Sequence, residues 1–210
     1  MITKTTLIAA ALSIYLSSGA VADQPKVFGN AVTIGTVAGP KLTAEQRRAF
    51  KWYRSNKSYF GAFYIAPDTE HLFWTRNFHS LKVAKNAAKY GCELASEGVP
   101  CVLHAVVYPK GANPNDPGLV GLGQPSSKDF ERKYPKRQKD GKYGAFAING
   151  AVGYGFSFGW DSKREADQAA LSYCDAFVAR SVAPLGIEGR DWVKSNGLDK
   201  CRIVHTHTPD

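Results

Sequence analysis

Two stretches of the chain carry the same order of apolar and polar positions. Tyr59-Phe60-Gly61-Ala62-Phe63-Tyr64-Ile65 returns as Lys142-Tyr143-Gly144-Ala145-Phe146-Ala147-Ile148, with Gly61 matched to Gly144. Each reads as a strand. A turn follows each copy, Ala66-Pro67-Asp68-Thr69 in one and Asn149-Gly150 in the other. The Asn-Gly pair is a strong hairpin signal. Next come second strands over 71–78 and 152–160, then Ser-initiated, Ala-rich helices from Ser80 and Ser162 that run to a cysteine. A further cysteine then opens a last strand, over 102–108 and 202–206. The two helices share a face. Ala84, Ala87, Ala88 and Cys92 match Ala166, Ala169, Ala170 and Cys174 in an i, i+3, i+4, i+8 stripe. Side chains this small let a helix lie close on its sheet. A unit of this size cannot bury its apolar face alone, so repetition sets the architecture. The expected fold is α+β: two β-β-α-β repeat units with antiparallel strands, related by a pseudo-two-fold axis, after an N-terminal helix.

Outside the units, a strand is predicted within 31–37. Thr43-Ala44-Glu45-Gln46 has the form of a capping box. It opens a basic helix to about Asn56, with Arg47, Arg48, Lys51 and Arg54 beside Phe50, Trp52 and Tyr53. Ser162 to Glu165 is a second capping box; unit one keeps Ser80 but has Val83 where the Glu would stand. Residues 109–142, rich in Pro, Gly and charge, read as a solvated linker. The expected divisions are 1–22, 23–58, 59–108, 109–142 and 143–210. The second cysteine loop is the longer one, holds Trp192 and prolongs its helix through Phe177 and Val178.

Residues 1–22 have the pattern of an export signal: Lys4, an apolar stretch from Leu7 to Leu16, then Ala20-Val21-Ala22 as a small-x-small cleavage site. The apolar stretch is too short to span a bilayer. A soluble periplasmic or secreted chain beginning at Asp23 is expected. In that oxidising setting four cysteines imply disulfides. The repeat pairs Cys92 with Cys101 and Cys174 with Cys201, each bridge worth about 3 kcal/mol by loop entropy. The close C-x-x-C pairs of a zinc site are missing. The chain carries a formal charge of +9. Only Lys4 is charged in residues 1–22, so +8 remains after cleavage. This charge suits anionic envelope polymers. It also serves simple solubility.

Several features could carry chemistry. Along 152–160, Tyr154, Phe156, Phe158 and Trp160 project to one side, while Gly153, Gly155, Ser157 and Gly159 leave the other nearly bare. The unit-one counterparts of the aromatic row are Leu72, Trp74, Arg76 and Phe78. Such a row is either core, with the bare face receiving a helix, or an exposed platform for sugar rings or apolar peptide. Arg76 points to partial exposure. His205 and His207 would share one face of a terminal strand, but no carboxylate cluster completes a metal set, and a solvated tail is expected. His79-Ser80 and Asp161-Ser162 are explained by helix caps, since a capping serine is not an activated nucleophile. Gly155-Phe156-Ser157-Phe158-Gly159 has the spelling of G-x-S-x-G but lies inside a predicted strand rather than at a strand-to-helix elbow, and no H-E-x-x-H helix or phosphate-binding glycine loop occurs. The basic run from Lys128 to Lys142 is interrupted by Asp129, Glu131 and Asp140, which argues against nucleic acid.

These residues resemble a family of small exported bacterial domains of uncharacterised function. Unit two carries the likeness best, through Tyr143-Gly144-Ala145-Phe146-Ala147, the stretch from Gly155 to Trp160, Ser162, Ala166, Ala169-Ala170, Cys174 and Cys201-Arg202-Ile203-Val204. Unit one follows more loosely. The resemblance implies a small exported α/β module and brings no catalytic residues. The expected function is a non-enzymatic binding or interaction protein of the bacterial envelope, with no cofactor and no metal. Its partner would be an anionic envelope polymer or another exported protein, and its candidate residues are Trp74, Arg76, Tyr154, Phe156, Phe158, Trp160, Arg47, Arg48 and Lys51. The alternatives are an envelope glycan or peptide hydrolase using Asp161, Glu165 or Asp68 with a histidine, and an immunity-like inhibitor of a secreted toxin.

Overall fold

A computed structural model describes residues 24–56 and 58–209; the expected export signal lies outside the described residues. The fold is α+β, with two antiparallel sheets and the two expected disulfides. The first sheet contains β1 (Val32–Thr36), β2 (Gly61–Ile65), β3 (Leu72–Thr75) and β4 (Val102–Pro109), in the order β1-β4-β2-β3. The second contains β5 (Tyr143–Ile148), β6 (Tyr154–Trp160) and β7 (Arg202–His207), in the order β6-β5-β7. In both, the glycine-alanine strand is central, flanked by its hairpin partner and by the cysteine-initiated strand. The ladders shift register at matching places, between Phe63 and Tyr64 and between Phe146 and Ala147.

Helix α1 (Ala44–Ser55) is capped by Thr43 in a full capping box. Its buried Gln46 also donates to the carbonyls of Ala66, Thr69 and His71, so a helix start pins the turn of the first hairpin. Helices α2 (Leu81–Ala95) and, after β6, the long helix Lys163–Val182 start at Ser80 and Ser162 as expected. Glu165 accepts from the Ser162 hydroxyl rather than closing the box on its backbone. Ala84, Ala88 and Cys92 on one helix, and Ala166, Ala170 and Cys174 on the other, are fully buried against their sheets. The bare face of β6 receives the long helix: a Cβ on Gly155 would stand 2.3 Å from the backbone nitrogen of Cys174. A hydroxyl ties sheet to helix in both units. Thr75 Oγ1 accepts from the Ala62 N–H and donates to the Ala84 carbonyl; Ser157 Oγ does the same between Ala145 and Ala166.

Two sequence expectations are corrected. First, residues 109–142 are not a solvated linker throughout. Helix α3 (Gln124–Lys128), a π-helical turn (Asp129–Lys133) and α4 (Tyr134–Arg137) follow one another, and Leu122, Ser126, Ser127, Asp129 and Tyr134 are buried. The widened turn precedes Pro135, whose missing N–H and ring deny the ordinary i to i−4 bond. This segment covers the outer face of the second sheet as α1 covers that of the first. Phe130 and Tyr134 meet Phe146 at 5.1 and 5.7 Å; Phe50 and Tyr53 meet Phe63 at 5.2 and 5.1 Å. Second, the 149–150 turn is longer than predicted. The connection runs from Asn149 to Gly153, and neither Asn149 nor Gly150 takes a positive φ. The buried Asn149 side chain holds it instead, accepting from the Ala151 and Gly153 N–H groups and donating to the Leu198 carbonyl.

Candidate functional site

A groove of about 1030 Å³ lies between unit one and the second disulfide loop. Helix α1 supplies Trp52, β3 and its extension supply Phe73, Trp74 and Arg76, and α2 supplies Tyr90 and Leu94. The far wall is the loop closed by Cys174 and Cys201. With the long helix Lys163–Val182 taken as α5, this wall is α6 (Ile187–Ser195) and its approach, bearing Leu185, Trp192 and Val193. None of the α6 residues is buried. A stacked pair, Tyr90 on Trp192 at 4.9 Å, joins the two walls, and the Tyr90 hydroxyl donates to the Glu188 carbonyl.

A local exchange of bulk shapes this groove. Phe73 lies on Gly91 of α2, where a Cβ would meet its ring at 2.6 Å. At the matching positions of unit two, 82 residues on, the strand has Gly155 and the helix has Tyr173. Unit one thus puts an aromatic ring between strand and helix where unit two closes backbone on backbone.

Arg76 is the one charged residue lining the groove, and no carboxylate lines it among the described residues. Its guanidinium carbon lies 4.8 Å from the Trp52 ring, 4.5 Å from Tyr53 and 5.0 Å from Trp74. It donates to the Tyr53 carbonyl at 2.6 Å. Burial lowers its pKa from the usual guanidinium value, and burial pushes the Tyr53 hydroxyl up. Arg76 Nε, the Tyr53 hydroxyl and Asn77 Oδ1 are buried without a hydrogen-bond partner among the described residues. Cation–π contact offsets part of the desolvation of this charge, but no anion is paired with it.

The predicted residues do not form one surface. Trp74 and Arg76 meet in the groove. Arg47 and Lys51 line a neighbouring cavity of about 650 Å³ beside Val32, Ile34 and Phe50, while Arg48 pairs with Glu45. Tyr154 and Phe156 stack on Phe146 within the second core, and the Tyr154 hydroxyl donates to buried Asp129. Phe158 carries the Arg137 guanidinium at 5.3 Å, and Trp160 lies exposed at the strand end. Tyr154, Phe156 and Phe158 are therefore half-buried, with Tyr134 of the segment 124–137 packed on Phe156, and Trp160 is exposed. Trp52, Phe73, Tyr90 and Trp192 were not singled out from sequence. The aromatic spacing of α1 and the lone tryptophan of the longer cysteine loop were the available signals.

The other chemical candidates are committed elsewhere. His79 is buried: its Nδ1 accepts from the Gly123 N–H at 3.0 Å, so Nε2 carries the proton and donates to the Gly153 carbonyl at 3.1 Å. Burial lowers its pKa to about 4. Asp161 pairs with Lys142 and Glu165 bonds to Ser162. Asp68 sits in the first hairpin turn with φ 58°. The terminal histidines are not a solvated tail: β7 pairs with β5 as far as His207, and the Tyr134 hydroxyl meets both His205 Nδ1 and the His207 N–H. No group of three or more metal-ligating side chains occurs among the described residues. No protein-family profile, curated protein sequence or solved structure shows significant similarity to this chain.

Proposed function

We propose that this chain is a non-enzymatic binding protein exported to the bacterial envelope, of the kind its sequence resembles, and that it holds an anionic envelope component in the groove between its units. The observation that carries the reading is Arg76. A half-buried cation sits among three aromatic rings in a groove that, among the described residues, offers it no carboxylate partner and no acid to act as a proton donor or base. Export is supported by the signal pattern of residues 1–22 and by two disulfides. Among the described residues no helix is long and apolar enough to cross a membrane. The net charge of +8 that remains after cleavage of residues 1–22 adds long-range attraction for anionic partners.

The test is retention of the purified protein on peptidoglycan or anionic glycan against neutral beads. Selective retention at moderate salt is expected, reduced in Arg76→Gln. Equal retention on both matrices would sink the reading.

A further inference from the structure

We propose that the groove's occupant is a single amphiphilic monocarboxylate, a long-chain fatty acid anion, with its carboxylate at Arg76 and its chain along the aromatic and aliphatic walls. The inference rests on the binding reading above and names its ligand class. Three observations select this chemistry.

The first is charge. Among the described residues Arg76 is the one charged group lining the groove and no acid lines it, so a negative charge is complemented and a cation is not. Carboxylate is the natural planar partner of guanidinium.

The second is the character of the walls. Beyond Arg76 the lining is dominated by Trp52, Phe73, Trp74, Leu94, Leu185 and Trp192. An alkyl chain gains from burial against such walls.

The third is shape. The groove is concave and bounded on both sides, with α6 held across it by the Tyr90–Trp192 stack. At about 1030 Å³ it lies near the upper end of small-molecule sites. A concave site takes one molecule out of a bilayer rather than inserting into the bilayer plane.

The experiment follows intrinsic fluorescence, since three of the four tryptophans line the groove. The intact disulfide-bonded protein is titrated with octanoate, decanoate and dodecanoate as monomers. The comparison ligands are dodecanol, dodecyltrimethylammonium and anionic phosphatidylglycerol vesicles. Saturable binding of dodecanoate is expected, tightening about fourfold per methylene along the series. Arg76→Gln should weaken it by roughly tenfold or more. Because Arg76 also braces Trp52 and Trp74, Leu94→Glu in the exposed part of the wall provides a second variant that leaves the core intact; it should weaken dodecanoate, and dodecanol to a lesser degree. The inference is overturned by no saturable change, by equal affinity for the alcohol or the ammonium, by a folded Arg76→Gln that binds as wild type, or by a response to vesicles alone. Selective retention on anionic glycan without dodecanoate binding would discard the fatty acid and keep the envelope-binding reading. Failure of both would discard both.

Discussion

His79 shows how one buried side chain can join a whole molecule. It lies where the start of α2, the segment 119–123 and the second hairpin meet, and it bonds to backbone of both Gly123 and Gly153. The neutral ring is the folded form, because protonation would turn the Gly123 N–H toward a second donor. Its folded pKa of about 4 lies below the ordinary 6.5. Between those values the unfolded chain takes up a proton that the folded chain refuses. Its stabilisation is therefore fully present above pH 6.5 and is lost as pH falls toward 4, by on the order of 3 kcal/mol. Urea unfolding at pH 7 and pH 4.5 should show this loss in wild type and a much smaller one in His79→Gln. A second test at this scale concerns the paired hydroxyls. Thr75→Val and Ser157→Ala each strip a buried N–H of its acceptor, and each should cost about 1–3 kcal/mol. Costs far apart would show that the two hydroxyls are not equivalent. Gly155→Ala should be at least as damaging, because the new methyl meets backbone of α5 rather than a side chain that can turn away.

At the scale of elements, most of the secondary structure was legible because local signals and burial agree. Thr43 caps α1, serines cap α2 and α5, and the small-residue stripes face the sheets where the spacing puts them. Thr43→Ala should destabilise by about 1 kcal/mol. Loop entropy assigns about 3 kcal/mol to each disulfide, slightly more to the 27-residue span of Cys174–Cys201 than to the 9-residue span of Cys92–Cys101. Paired Cys→Ser variants, compared in midpoint of denaturation, should rank in that order. The segment 124–137 was misread as solvated because its helices are short, broken by two prolines and crowded with charge. Only the aromatic face of the second sheet, which needs covering, makes Phe130 and Tyr134 interior residues. The Asn149-Gly150 turn was misread for a related reason: the Asn149 amide finds Leu198, far along the chain, and that contact outweighs the local preference.

For the molecule as a whole, the groove exists because the second disulfide loop is long enough to reach unit one. Helix α6 buries none of its residues and is joined to α2 by the Tyr90–Trp192 stack. Such a pair contributes about 0.5–1.5 kcal/mol. Tyr90→Ala should therefore leave global stability nearly unchanged while sharply raising amide exchange across 187–195. Equal protection of α6 in variant and wild type would show that something other than the stack holds it.

The chain alone determined the α+β class, the β-β-α-β succession of each unit, the helix caps and the choice of cysteine pairs. These follow from periodicity, turn chemistry and repetition, all of which act over a few residues or between identical patterns. Tertiary structure decided which aromatic rows become interior and which stay accessible. Tyr154 and Phe156 read in sequence as either core or platform and pack half-buried against the core under 124–137, whereas Trp52, Trp74 and Trp192, from three separate parts of the chain, line one groove with Arg76. Burial depends on what packs against a face. That partner lies far away in sequence, so no local pattern can announce it.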